Sequence, residues 1–189
     1  MSENGRRYTD LMVAGFGGQG TLIVGRLIAD TAMSLYPHVS FFPNYGASAR
    51  GGDTECTVIL SDEEISSPAL LNPMTAILMG KTPLIQEFEK RTQPGGIMMI
   101  DSSLVDEKLT RSDLRAYYIP ATKAAADLGN SRVTNFIFLG AYLETTKAVP
   151  VDDLMAFLEK KIGGGGDSTL LDLDRRALDE GARLARENQ

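Results

Sequence analysis

The amino-acid sequence predicts an α/β fold, with a central, mostly parallel β-sheet flanked by helices and a helical C-terminal part. Three observations support this prediction. Short apolar runs that suit buried strands alternate with segments in which apolar residues have helical spacing. The first apolar run ends at a glycine-rich turn, and this turn opens a helical segment. From residue 121 onward the remaining segments have a helical pattern.

The strand predictions come from short apolar or β-branched runs that end at turn residues. Residues 11–14 form an apolar run before a glycine, which is typical of a buried first strand. A second strand is expected at residues 39–42, and Pro43 is expected to stop it because proline cannot donate to a strand ladder. The other predicted strands are residues 54–60, 75–79, 97–100 and 115–119.

The helix predictions rest on the spacing of apolar residues. The first helix is expected over residues 21–36, directly after the glycine turn. Pro150 precedes another helical segment, where proline suits the start of a helix. Four consecutive glycines, residues 163–166, form a flexible joint without an assigned function. The other predicted helices are residues 83–91, 121–128, 133–147, 151–161 and 169–187.

Composition excludes several classes of protein. The net charge of −6 and the scattered Lys and Arg residues argue against a nucleic-acid-binding surface. No apolar run is long enough to span a bilayer and the N-terminus lacks the pattern of a signal peptide, so we expect a cytoplasmic protein without a membrane partner. Cys56 and His38 are the only residues of their types. A multi-thiolate iron–sulfur cluster and a His-rich zinc site are therefore excluded, and no metal ligand is predicted.

Residues 15–20, Gly-Phe-Gly-Gly-Gln-Gly, match the pattern G-x-G-x-x-G between a predicted strand and a predicted helix. Glycines there allow a tight turn and the close approach of a ligand, and the helix N-terminus offers N–H groups to an anion. The ribose-binding acid expected about 20 residues later is missing from residues 40–44. An anion-binding turn and a tight turn without a ligand therefore both remain open. The candidate ligand-binding residues are Gly15, Gly17, Gly18, Gln19 and Gly20.

A second glycine-rich loop covers residues 44–52 and combines one aromatic residue with one cation. Loops at the carboxyl ends of strands form the ligand crevice of an open α/β sheet. Arg50 could bind a carboxylate or phosphate through two parallel hydrogen bonds. The alternative is a structural role, in which Arg50 clamps a carbonyl group or forms a salt bridge to another subunit. The candidate residues in this loop are Tyr45, Arg50, Gly51 and Gly52.

Three stretches of the sequence have a family resemblance. They are residues 15–20 with the helix that follows, residues 45–52 running into residues 58–68, and residues 129–141. Together they resemble the gamma subunit of 2-oxoacid:ferredoxin oxidoreductases, above all those that act on 2-oxoglutarate. The resemblance implies one pyruvate/ketoisovalerate oxidoreductase catalytic domain of the gamma type, Rossmann-like, over residues 1–189. One departure is the Ala-Ser-Ala sequence at residues 47–49, where the family usually has a proline or an acid.

The resemblance implies a subunit of a larger enzyme that is not active alone. The enzyme would decarboxylate a 2-oxoacid, with 2-oxoglutarate expected, form an acyl-coenzyme A and pass electrons to ferredoxin. Thiamine diphosphate, Mg²⁺ and iron–sulfur clusters would be bound by other subunits (alpha, beta and a ferredoxin-like delta) and not by this chain. This chain would complete the complex and shape the approach of coenzyme A or substrate. In isolation its apolar interface would be exposed, which favours a homodimer.

Two other functions remain open from the residues alone. The first is a stand-alone nucleotide-binding Rossmann dehydrogenase, against which the missing acid and the lack of an acid–base pair both count. The second is a non-catalytic interaction module that docks a partner through sheet edges and loops. No catalytic residue is predicted. Asp101 follows a predicted strand and either caps the next helix or lines the crevice. Asn135 opens an apolar helical run and is expected to anchor a loop through its side chain, with a functional role as the alternative.

Overall fold

The predicted apolar runs form the strands of one sheet. The computed structural model describes residues 6–45, 53–162 and 168–188. In this part of the chain six strands lie in the order β2-β3-β1-β4-β5-β6. They are β1 (Tyr8–Phe16), β2 (His38–Tyr45), β3 (Asp53–Ser61), β4 (Thr75–Leu78), β5 (Ile97–Asp101) and β6 (Arg115–Ile119).

The sheet is mostly parallel, as the sequence predicts. β1, β4, β5 and β6 pair in parallel with one another. β3 runs antiparallel to both of its neighbours, β1 and β2. The first residue of β3 therefore pairs with the last residue of β1, Asp53 with Phe16. A dinucleotide-binding fold has a parallel second strand beside β1, and here an antiparallel strand takes that place.

The helices cover the sheet and dominate the C-terminal part, which confirms that prediction. α1 ends earlier than predicted, because the N–H groups of Leu35 and Tyr36 both turn back to the carbonyl oxygen of Ala32. No helix among residues 6–45, 53–162 and 168–188 is long and apolar enough to cross a membrane. Glycines 163–166 lie outside the described residues. The helices are α1 (Thr21–Ala32), α2 (Thr82–Arg91), α3 (Ala121–Asp127), α4 (Thr134–Thr146), α5 (Val151–Ile162) and α6 (Ser168–Glu187), with a 3₁₀ turn at Ser131–Val133.

The prediction that Pro43 stops the second strand is wrong. β2 continues through Pro43, which pairs with Cys56 of β3. β2 is an edge strand, hydrogen-bonded on one side only. Proline is tolerated in such a strand because its missing N–H can face the open edge without breaking a ladder bond.

The sheet separates two apolar cores. Successive residues of a strand point to opposite faces. Leu11 and Val13 of β1 join the larger core, which includes residues of α1, α4, α5 and α6. Met12 and Ala14 join the smaller core, which includes Phe88 of α2. The fold therefore has three layers, with most of the helices on one face of the sheet.

α4 is the central helix of the larger layer. Eight of its 13 residues are buried, and a helix that is apolar on nearly all sides is typical of a core position. α6 crosses α4 at Gly140 and Gly181. A Cβ added to Gly140 would overlap the carbonyl oxygen of Leu178, and one added to Gly181 would overlap the carbonyl oxygen of Ile137. The two helix backbones therefore touch directly, which fixes α4 in place.

We predict that replacing Gly181 by alanine destabilises the fold. In an unobstructed helix this substitution would stabilise the protein by about 0.5–1 kcal/mol. Here the added methyl group meets backbone atoms that cannot rotate away, and overpacking of this kind costs about 1–3 kcal/mol. Chemical and thermal denaturation measure the difference. Ala182→Gly, next along the same helix, is the control and should lose only helix propensity; a higher melting temperature for Gly181→Ala would contradict the tight crossing.

We also predict a pH-dependent contribution from Asp174 on α6. Burial raises the pKa of this carboxyl to about 6, so the folded chain holds its proton more tightly than the unfolded chain. The stabilising contribution is present below about pH 4 and is lost as the pH rises through about 6. Asp174→Asn should therefore stabilise the protein at pH 7 by on the order of 1 kcal/mol and flatten this part of the stability curve. The exposed Asp172→Asn should do neither, and identical pH profiles for wild type and Asp174→Asn would contradict the prediction.

Candidate functional site

The turn between β1 and α1 has a backbone that favours glycine. Gly18 and Gly20 have positive φ angles of 101° and 80°. The Gln19 side chain folds back onto the turn, where its Oε1 accepts a hydrogen bond from the N–H of Phe16 at 2.7 Å. The N–H of Gln19 donates to the carbonyl oxygen of Phe16 at 3.2 Å. Gln19 therefore closes the turn and leaves the start of α1 uncovered.

The first turn of α1 has hydrogen-bonding groups without protein partners. The N–H groups of Thr21 and Leu22 have no acceptor in the part of the chain that the structure describes. The Thr21 side chain is only 2% exposed, and its hydroxyl also lacks a partner among these residues. A buried hydroxyl without a protein partner costs free energy unless a water satisfies it. The unpaired N–H groups, together with the positive end of the helix, favour an anion.

The glycine turn forms one wall of an open cleft of about 760 Å³. The opposite wall comes from the start of α3 and from the 3₁₀ turn that leads into α4. The residues of the cleft are Phe16, Gly17, Gly18, Gln19, Gly20, Thr21, Leu22, Ile23, Thr54, Thr122, Ser131, Arg132, Thr134 and Asn135. The cleft thus lies at the carboxyl end of β1, where open α/β sheets bind ligands.

Asn135 joins the two walls. A Cβ added to Gly20 would lie 2.6 Å from Nδ2 of Asn135, so the two helix starts approach closely only because residue 20 is glycine. The Asn135 side chain is 4% exposed, and its Oδ1 accepts a hydrogen bond from the N–H of Phe136 at 3.0 Å. The amide group of Asn135 is therefore oriented, with Nδ2 towards the glycine turn. The side-chain hydrogen bond lies within α4 itself, so the anchoring of a loop by Asn135 stays a prediction.

Arg132 supplies positive charge at the cleft. Its backbone N–H is held by Oδ1 of Asn130 at 3.0 Å, which fixes the 3₁₀ turn. Its side chain is exposed and forms no ion pair with the described residues. In a protein of net charge −6, an arginine without a carboxylate partner is available to an anion.

Asp101 holds Thr122 at the edge of the cleft. Asp101 is 1% exposed, and its Oδ2 accepts hydrogen bonds from Oγ1 of Thr122 at 2.6 Å and from its N–H at 3.2 Å. Oδ1 accepts from the N–H of Ser103 at 3.0 Å. Asp101 therefore caps α3, the next helix along the chain, as one of the two sequence interpretations expects. The capped residue, Thr122, lines the cleft.

The glycine turn is the part of the predicted site that the structure brings to the cleft. Gly17, Gly18, Gln19 and Gly20 line it. Gly15 lies beneath the turn, where a Cβ would meet Oε1 of Gln19 at 2.6 Å, so its role there is packing.

The second predicted loop is only partly described. Tyr45 ends β2 and pairs with Thr54, a residue of the cleft. Arg50, Gly51 and Gly52 lie outside the described residues, so their part in ligand binding stays a prediction.

Sequence reasoning missed six polar residues of the cleft: Thr21, Thr54, Thr122, Ser131, Arg132 and Thr134. Arg132 and Thr134 lie in the stretch 129–141, which carries the family resemblance. Their positions along the chain do not indicate that this stretch lies beside the glycine turn. Thr122 follows the predicted strand 115–119, and its position after the carboxyl end of a parallel strand was a usable signal.

Comparison with known sequences gives a consistent result. The family model for pyruvate ferredoxin/flavodoxin oxidoreductase matches residues 10–184. The ketoisovalerate oxidoreductase subunit VorA of Methanothermobacter thermautotrophicus is 34% identical over 177 residues, which are 93% of this chain and 36% of VorA. This chain thus spans about a third of that relative's length. The 2-oxoglutarate synthase subunit KorC of Methanocaldococcus jannaschii is 28% identical over 94% of both chains.

Solved structures share the fold. One is the 2-oxoglutarate:ferredoxin oxidoreductase of Magnetococcus marinus, with a TM-score of 0.85, 23% identity, and coverage of 96% of this chain and 31% of that one. Another is the gamma subunit of a keto/oxoacid ferredoxin oxidoreductase from Geobacter sulfurreducens, with a TM-score of 0.80, 22% identity, and coverage of 96% and 98%. The matches in sequence and the agreement in fold lead to one conclusion: this chain belongs to the pyruvate ferredoxin/flavodoxin oxidoreductase family.

Proposed function

We propose that this chain is the gamma-type subunit of a multi-subunit 2-oxoacid:ferredoxin oxidoreductase and has no activity alone. The assembled enzyme would convert a 2-oxoacid and coenzyme A into an acyl-coenzyme A and CO₂, with the electrons passing to ferredoxin. The substrate that we propose is 2-oxoglutarate, because KorC, a subunit of 2-oxoglutarate synthase, matches this chain over 94% of both lengths. Ketoisovalerate is the first competitor, because VorA has the higher identity.

The observation that carries the proposal is the cleft between the starts of α1 and α4. One wall offers the unpaired N–H groups of Thr21 and Leu22, and the other wall offers the guanidinium of Arg132. Such a cleft suits the phosphate groups of coenzyme A. The Magnetococcus marinus structure that shares this fold was determined with coenzyme A bound. We therefore assign to this chain the binding of coenzyme A, and no bond-making step.

The residues of this chain do not fit the other cofactors of the proposed enzyme. Cys56 is the only cysteine of the sequence, and burial raises the pKa of its thiol to about 12. Among the described residues, no three His, Cys, Asp or Glu side chains gather as a metal site. Thiamine diphosphate with Mg²⁺ and the iron–sulfur clusters therefore belong to the alpha, beta and ferredoxin-like delta subunits in this proposal.

The stand-alone dehydrogenase is not favoured by the fold. In a dinucleotide-binding domain the acid that binds the ribose ends the parallel strand beside β1. Here the strand beside β1 is β3, which runs in the opposite direction, and the next parallel strand, β2, lies at the sheet edge. The glycine turn is therefore kept without the rest of a dinucleotide site.

The test of this proposal is purification of the tagged chain from its native host under anaerobic conditions. We expect other subunits to co-purify, and the complex to reduce viologen only when coenzyme A and one 2-oxoacid are both present. Pyruvate, ketoisovalerate and 2-oxoglutarate, tested in parallel, identify the substrate. A chain that purifies alone and stays inactive when mixed with the candidate alpha and beta subunits would overturn the proposal.

We further predict that Arg132→Ala weakens the binding of coenzyme A. A charge-assisted hydrogen bond to phosphate contributes about 1.5–3 kcal/mol, so the KM for coenzyme A should rise about tenfold or more, with little change in kcat. Arg26→Ala is the matched control, because Arg26 lies on the exposed side of α1 and pairs with Asp30 at 3.4 Å. An unchanged KM for Arg132→Ala would place the phosphate groups elsewhere.

A further inference from the structure

We propose that Asp101 is a positioning residue that makes Thr122 a pure hydrogen-bond acceptor and thereby selects which part of the ligand lies there. This inference rests on the proposed function, since it concerns the ligand of the same cleft. It adds a requirement that charge alone does not impose. The group of the ligand that meets Thr122 must be an N–H or O–H donor.

Both protons that Thr122 can donate are already engaged. Its hydroxyl donates to Oδ2 of Asp101 at 2.6 Å, a short, charge-assisted hydrogen bond. Its N–H donates to the same carboxylate at 3.2 Å. A threonine has only these two donors. Thr122 therefore has none left for the cleft, and what its side chain can still offer is a lone pair of Oγ1.

Thr134, on the same wall, has also donated its hydroxyl proton within the protein. Its hydroxyl donates to the carbonyl oxygen of Ser131 at 2.9 Å, so its oxygen can also only accept from a ligand. Donors of the cleft include the N–H groups at the start of α1, the guanidinium of Arg132 and Nδ2 of Asn135. The cleft thus presents acceptors as well as donors. The arrangement fits an anion that also carries N–H or O–H groups, and it disfavours a compact anion that only accepts, such as inorganic pyrophosphate.

Asp101→Asn is the variant that reverses this polarity. Both carboxylate oxygens accept backbone N–H groups, Oδ1 from Ser103 and Oδ2 from Thr122. An asparagine that keeps its oxygen on Ser103 points its NH₂ group at Thr122, where it donates to Oγ1. The hydroxyl proton of Thr122 is then free to point into the cleft. A ligand donor that met an acceptor now meets a donor, and binding weakens.

The experiment is a double-mutant cycle on the assembled complex, with coenzyme A as the probe and its KM and kcat as the readouts. Thr122→Val removes the acceptor and should raise the KM for coenzyme A about 3- to 10-fold, the value of one hydrogen bond. Asp101→Asn should raise it at least as much. Because Asp101 acts through Thr122, the double variant should match Thr122→Val alone. Thr122→Ser, which keeps the hydroxyl, should restore near wild-type binding.

Asp10→Asn is the matched control. Asp10 is also 1% exposed and also accepts a backbone N–H, from Met74 at 2.7 Å. It lies near the start of β1, at the opposite end of the sheet from the cleft, so its loss should lower the melting temperature without changing the KM.

The outcomes separate the two proposals. If the wild-type complex shows no saturable dependence on coenzyme A, the proposed function fails and this inference fails with it. If the wild type saturates and Asp101→Asn has the same KM, or if the effects of Asp101→Asn and Thr122→Val simply multiply, the proposed function stands and the positioning role is overturned. A KM that rises equally in Asp10→Asn would also overturn it, because the effect would then be one of stability.

Discussion

The contact between Gly20 and Asn135 is the constraint on which the cleft depends. A single Cβ at residue 20 would overlap the Asn135 amide and push the starts of α1 and α4 apart. Residue 20 also has a positive φ angle, so two independent physical reasons favour glycine there. α4 cannot move to make room, because its backbone touches that of α6 at Gly140 and Gly181. The packing of α4 in the core therefore determines the distance between the two walls of the cleft.

The two walls of the cleft carry different polar groups. One wall presents the N-terminus of α1, and the other wall presents Arg132 and the oriented amide of Asn135. No pair of titratable groups within the described cleft residues is placed to exchange a proton. The hydroxyl of Thr122 donates a hydrogen bond to the buried carboxylate of Asp101. This carboxylate also accepts hydrogen bonds from the backbone N–H groups of Ser103 and Thr122.

Local patterns predicted the elements of the fold well where the pattern and the final environment coincide. The strands at 75–79 and 97–100 are buried on both faces, so their continuous apolar runs were unambiguous. The end of β2 was predicted wrongly at Pro43, because the local sequence does not show that β2 is an edge strand. Proline is tolerated in an edge strand and not in a central one. The reversed direction of β3 also left no trace in its own residues, because parallel and antiparallel strands have similar local composition.

The sequence by itself determined the α/β class, the helical C-terminal part and the glycine turn, because each depends on residues that are close together in the chain. Only the tertiary structure decided which side chains face that turn. Arg132 and Asn135 are more than 100 residues from Gly20, and they reach it through the burial of α4 and the crossing with α6. The link between Asp101 and Thr122 likewise joins the ends of two neighbouring strands. Contacts of this kind arise from how elements pack, and the order of residues along one element does not encode them.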